Sequence, residues 1–136
     1  MKVFVDTGPL RALVVPKDQE RKRTLEIIES LGKQKAQMFT SDYILDEVFT
    51  GLLNDIRGGH LRIKEFNRLI LRQKLLQIEW IDRQRWLKTK RLFLKVSKDK
   101  TWSFTDCTSY VVMRELKIKK AFSFDEHFKQ MGFDLL

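Results

Sequence analysis

Short β-prone runs alternate with amphipathic helical stretches along almost the entire chain, and few architectures accept that order. Lys2 to Val5 reads as a strand ending at Asp6-Thr7-Gly8-Pro9, where a proline suited to a helix's first turn introduces Leu10 to Val14. From Asp18 to Leu31, Leu25, Ile28 and Leu31 recur at helical spacing, with Gly32 placed to stop the helix. Gln37 to Thr40 is a second strand. Ser41 or Asp42 then caps a helix with a broad apolar face (Ile44, Leu45, Val48, Phe49, Leu52, Leu53) that is expected to end near Gly58-Gly59. A further helix runs from about Leu61 to Lys74, and Leu75 to Ile81 forms a third strand. Asp82 opens a strongly basic helix and Ser103 caps another, which reaches about Lys117. Lys120 to Phe124 is a fourth strand, Asp125 to Phe128 begins a short helix, and Phe133 to Leu136 adds a last strand. The expected fold is α/β, three layers deep, with a central, mainly parallel sheet covered by helices on both faces.

At 136 residues the chain fits one domain, expected to span residues 1–136, with no long linker or repeat. The apolar share of 43% and the charged share of 33% are those of a globular protein, and no apolar run is long enough to span a bilayer. The first residues meet an acid after three apolar ones, unlike the apolar region of a signal peptide. The lone Cys107 excludes an intramolecular disulfide and any Cys-rich zinc site, which makes the cytoplasm the expected compartment. Against 18 acids stand 27 Lys and Arg, a net charge of +9 that favours a polyanionic partner such as nucleic acid.

Within this basic chain a few acids occupy conspicuous positions. Asp6 and Asp125 each follow a buried-looking strand, and in open parallel sheets ligand sites gather beyond the strands' carboxyl ends. Helix capping would account for either one alone; two on one edge weaken that account. Asp106, in the first turn of its helix, is favoured there by the macrodipole, yet it shares a face with Tyr110 and Met113. Glu47 lies between Ile44 and Val48, with Asp46 pointing about 100° away, and periodicity alone does not choose between them. Carboxylates brought close together need a counter-charge, and a divalent cation with a preference for oxygen supplies one.

The segments Val5-Asp6-Thr7-Gly8-Pro9-Leu10, Thr40 to Val48, Ser103-Phe104-Thr105-Asp106-Cys107 and Phe122 to Phe128 together resemble the PIN-domain family. Short members of this kind are similar to the VapC-type toxins of prokaryotic toxin–antitoxin pairs. The resemblance implies Mg²⁺- or Mn²⁺-dependent RNA cleavage, with the family's acids falling on Asp6, Glu47, Asp106 and Asp125 as metal ligands and catalytic residues. Thr7 matches the hydroxyl residue after the first acid and is suited to orienting a water. Glu126 is an alternative to Asp125, and Asp46 to Glu47. An antitoxin partner, a homodimer and an RNA substrate follow from the same resemblance, with DNA still open. No protein nucleophile is evident, so water is the expected attacker, activated by metal.

Other features receive plainer readings. Cys107 is expected to pack in its helix rather than act as a nucleophile, and His60 to sit in a loop or cap. His127 is expected at the surface or in packing, with a site role as the alternative, and Trp80, Trp86 and Trp102 as core anchors. Basic residues gather at Lys17, Arg21, Lys22 and Arg23, and again between Arg83 and Lys100, where they encircle the helix; those nearest the acidic edge are candidates for holding phosphates. Gly8 stands where a haloacid-dehalogenase-type phosphatase needs its second acid, and the acid pair of a phospho-acceptor receiver is missing. The competing reading is a non-catalytic RNA-binding module on the same fold, or a nuclease of RNA processing without an antitoxin.

Overall fold

A computed structural model describes residues 1–55 and 58–136. The elements run β1 (Lys2–Val5), α1 (Thr7–Ala12), α2 (Arg21–Lys33), β2 (Gln37–Ser41), α3 (Asp42–Leu53) and α4 (Gly59–Phe66). A π turn (Asn67–Leu71) follows, then β3 (Gln77–Glu79), α5 (Arg83–Val96), α6 (Phe104–Glu115), β4 (Lys120–Phe122), α7 (His127–Gln130) and β5 (Asp134–Leu135). All strand pairs are parallel, in the order β3-β2-β1-β4-β5.

That order fixes where the helices go. The chain steps outward from β1 through β2 to β3, then returns across the sheet to β4 and β5. Right-handed crossovers in opposite directions put helices on opposite faces, so α1–α4 cover one side and α5–α7 the other. The expected α/β/α layering is therefore present. Buried between the layers are Val3, Phe4 and Val5 from β1 and Phe122 from β4, Leu10, Val48 and Leu52 below, and Val112, Met113 and Phe128 above. Phe4 and Phe128 meet with ring centroids 6.4 Å apart. The reversal of strand order falls between β1 and β4, and the carboxyl end of such a switch point is where open α/β sheets leave a crevice.

Several local expectations need correction. Gly32 does not stop α2; the helix runs to Lys33 and turns at Lys35, whose φ is +54°. Within α2 it is Thr24 that is fully buried, whereas Leu25 stays 45% exposed. α3 ends at Leu53, ahead of the Gly58-Gly59 pair, and residues 56 and 57 lie outside the described residues. Gly59 opens α4 where its backbone abuts the end of α3, and a Cβ there would collide with the Leu52 carbonyl oxygen. His60 is thus in the first turn of a helix, and the helix expected to reach Lys74 gives way to the π turn. β3 is shorter than the alternation Leu75–Ile81 suggested.

The tryptophans also divide. Trp102 is buried, but Trp80 is 64% exposed and Trp86 39% exposed, so neither is a core anchor. Trp80 follows β3, the sheet's edge strand, and among the described residues no further strand covers it. Trp86 lies on Phe104 with Lys90 over its outer face. Among the described residues no helix is long and apolar enough to cross a membrane.

Candidate active site

β1 ends in three fully buried apolar residues, and its ladder to β4 continues one residue further through the Asp6 amide, which donates to the Phe122 carbonyl at 2.9 Å. The Asp6 backbone is thereby pinned at the switch point. Although it occupies the position before α1, its side chain makes no capping bond; Ser123 Oγ donates to Asp6 Oδ2 instead, at 2.6 Å. The capping account of Asp6 is therefore set aside. Ser123 Oγ in turn accepts from the Asp125 amide at 2.9 Å, so one buried hydroxyl ties the turn after β4 to the acid after β1.

Ser41 caps α3 by accepting from the Ile44 amide, which sets the rotation of the helix and turns Glu47 toward α1. Glu47 Oε2 accepts from Thr7 Oγ1 at 3.1 Å. Asp46 does not line the cleft. Asp106 comes from the opposite layer. It forms a reciprocal capping box with Ser103, its Oδ2 accepting from the Ser103 amide at 2.9 Å while Ser103 Oγ accepts from the Asp106 amide at 3.0 Å. Capping and site membership coincide in this residue, because the cap turns the carboxylate toward the sheet edge.

His127 closes the group. Its Nδ1 lies 2.8 Å from Asp106 Oδ2 and 3.2 Å from Asp125 Oδ2. Ionised carboxylates only accept, so Nδ1 is the nitrogen that carries a proton. Asp125 Oδ1 also accepts from the His127 amide at 2.9 Å, which starts α7. One donor atom from each of Asp106, Asp125 and His127 fits within a 4.8 Å cluster, a spacing compatible with a shared ion.

Asp6, Thr7, Glu47, Asp106 and Asp125 thus line one open cleft of about 800 Å³. Glu126 lines it too. The electrostatics register the crowding: the Asp6 carboxyl is raised from 3.8 to about 6, chiefly by burial, with the charges of Asp106 and Glu47 adding to it and the Ser123 hydroxyl opposing it. Cys107, beside Asp106, is buried, and that burial lifts its thiol to about 11, so it is no thiolate at neutral pH.

Sequence reasoning gave His127 too little weight and missed Ser123 and Gln130, another residue of the cleft wall. A small hydroxyl amid Ala121, Phe122 and Phe124 was the available signal for Ser123. The basic clusters are partly committed elsewhere. Arg85 is paired with Glu79 and Glu115 at 3.0 and 2.8 Å, Lys88 with Glu115 at 3.0 Å, and Arg21 donates to the Ala12 and Leu13 carbonyls. Arg83, Lys90, Arg91, Lys95, Lys98 and Lys100 remain exposed along and after α5.

The family model of the PIN domain matches residues 3–134, and the chain belongs to that family. No curated protein matches it by sequence. Among solved structures it is similar to VapC20 of Mycobacterium tuberculosis, described as a Sarcin-Ricin loop cleaving toxin, with a TM-score of 0.80 and 26% identity over 96% of this chain and 95% of that one. It shares its fold with VapBC2 from Rickettsia felis, solved on a DNA fragment from its promoter (TM-score 0.72, 13% identity, 100% and 98% covered). The same holds for FitAcB from Neisseria gonorrhoeae (TM-score 0.73, 14% identity, 98% and 96% covered).

Proposed function

We propose that this protein is a Mg²⁺- or Mn²⁺-dependent endoribonuclease that hydrolyses RNA phosphodiester bonds as the toxin of a VapBC-type pair. The observation that carries the reading is the convergence of Asp6, Glu47, Asp106 and Asp125 on one cleft in a chain whose net charge is +9. A protein of this charge gains nothing in solubility by lining one cleft with acids, and the Asp6 carboxyl, raised first by its own desolvation and further by the charges of Asp106 and Glu47, is costly to ionise there without a cation. The donor set fits a hard cation: it is rich in carboxylate oxygen, and the sulfur nearby is a protonated thiol.

In this reading Asp6, Glu47 and Asp106 hold the main ion and Asp125 supports it or a second one. When bound, a divalent cation supplies positive charge against the scissile phosphate and acidity for an attacking water. Thr7, held by Glu47, orients that water. His127 keeps Asp106 and Asp125 at a fixed separation. The exposed lysines and arginines of α5 offer phosphate contacts along the RNA backbone. The description of VapC20 as a Sarcin-Ricin loop cleaving toxin supports RNA as the substrate class, and the likeness to VapBC2 supports a small antitoxin partner. A homodimer and a cytoplasmic setting, with residues 1–136 acting as one domain, belong to the same proposal.

The deciding experiment incubates the purified protein with total cellular RNA in Mg²⁺ or Mn²⁺ and, in parallel, in EDTA. Discrete cleavage that EDTA stops is expected. Intact RNA in both arms, with retained binding, would leave the non-catalytic RNA-binding module as the reading.

A further inference from the structure

The wall of the acidic cleft includes one neutral amide, Gln130, at the end of α7. Its Oε1 accepts from Trp102 Nε1 at 2.9 Å. An indole nitrogen only donates, so this bond decides which end of the amide is which: the oxygen is turned to the tryptophan and the NH₂ group is directed away from it. Trp102 is itself held, 8% exposed and stacked on Tyr110 with centroids 6.4 Å apart and planes 26° apart. Gln130 is exposed and lines the cleft, and its Nε2 has no acceptor among the described residues, so with the oxygen committed to the indole its two N–H groups are open to a ligand.

We propose that Gln130, oriented by Trp102, donates to a phosphate oxygen of the RNA strand next to the acidic cluster. The inference rests on the ribonuclease reading given above. An RNA strand entering this cleft meets a wall with five carboxylate residues and, among the described residues, no Lys or Arg. A lysine at position 130 would pair with those carboxylates and compete with the cation for them. An amide carries no charge and offers two donors, so it can hold an anionic oxygen without neutralising the cluster. The indole bond removes the amide's alternative orientation, in which its oxygen would face the phosphate and repel it. Gln130 is thus the substrate-binding residue and Trp102 its positioning residue.

The test uses the full chain. The wild-type cut site is first mapped in total cellular RNA, and a synthetic oligonucleotide spanning that site serves for kinetics. Gln130→Glu keeps an acceptor for Trp102 but exchanges the NH₂ for a second oxygen. It should retain the wild-type melting temperature while KM rises about 10- to 100-fold and kcat changes little, the loss expected for a hydrogen bond to a charged group. Gln130→Met removes the donors without adding charge and should raise KM in the same direction. Trp102→Phe keeps the ring stack and frees the amide; KM should rise about 3- to 10-fold, with Mn²⁺ affinity by calorimetry unchanged, whereas a purely structural role would move the melting temperature and leave KM alone. Wild-type KM in both Gln130 variants, on RNA that the wild type cleaves, would overturn this inference and leave the ribonuclease reading standing. A wild type that cleaves no RNA would overturn both.

Discussion

At the carboxyl edge of the sheet, β1 and β4 hand over to Asp6 and Asp125; at the amino edge, α2, the π turn and α6 hand over to β2, β3 and β4 through Lys35, Lys74 and Lys117. The three lysines adopt left-handed backbone, with φ of 54°, 54° and 56°. Each belongs to the same paired closure: Ala36 to Leu31 with Lys35 to Gly32, Leu75 to Ile70 with Lys74 to Leu71, and Ile118 to Met113 with Lys117 to Arg114, all amide to carbonyl. Helix-end carbonyls are satisfied there, and lysines complement the negative ends of the dipoles. The carboxyl edge does the reverse, keeping acids close together with one carboxyl raised to about 6. One edge is built for stability and the other gathers like charge, so substitutions at the two edges should differ in sign as well as size.

The largest effect that comparison predicts is on catalysis. Asp6→Asn and Asp106→Asn should each lower RNA cleavage by about a thousandfold or more, as loss of a metal ligand or of charge stabilisation does. Wild-type rates in both variants, measured with Mg²⁺ present, would break the distinction between the edges. Divalent cation should raise the wild-type melting temperature, because an ion at about a hundred times its dissociation constant adds about 2.7 kcal/mol. Neither variant should show that rise in full.

A smaller effect is on metal-free stability, and its sign is opposite to the loss of activity. The folded Asp6 carboxyl, at about 6, binds its proton more tightly than the unfolded one at 3.8. Its contribution is therefore fully present below about pH 4 and is lost as pH rises through about 6, a change of at most about 3 kcal/mol. Asp6→Asn, free of that titration, should be more stable than the wild type at pH 7 in EDTA and lack this part of the slope between pH 4 and 6. Urea melts across that range measure it; an equal slope in both proteins would assign the cost to other groups.

The two edges were unequally legible in the sequence. Asp6 and Asp125 could be placed because a strand followed by an acid is a local pattern, and parallel sheets send such positions to one edge. The helical acids were harder: Glu47 and Asp46 differ by one residue, and only the Ser41 cap and the bond from Thr7 single out Glu47 as the one facing the cleft. Ser123, His127 and Gln130 depend on partners 117, 21 and 28 residues away, and no local spacing encodes those contacts. At the amino edge Gly32 was the residue suited to ending α2, yet the paired closure falls three residues later on a lysine. Composition favours glycine in left-handed turns, but the length needed to reach β2 decides where the turn is. Trp80 and Trp86 were misplaced for a similar reason, since their hydrophobicity says nothing of whether another layer lies outside β3 and α5.

The smallest effect tests the amino edge itself, at Lys117, far from the cleft. Left-handed backbone costs a residue with a Cβ about 1–2 kcal/mol, which glycine avoids. Glycine returns about 0.5–1 kcal/mol of that to the unfolded chain, and losing the lysine's charge at the end of α6 removes a few tenths more. Lys117→Gly should therefore be more stable than the wild type by about 0.5 kcal/mol. Lys117→Ala keeps the backbone strain and loses the charge, so it should be the less stable by a similar or smaller amount. The order Gly, Lys, Ala in chemical melts, with RNA cleavage equal in all three, would mark this edge as purely architectural; an alanine variant more stable than the glycine one would show that the lysine turn is not strained.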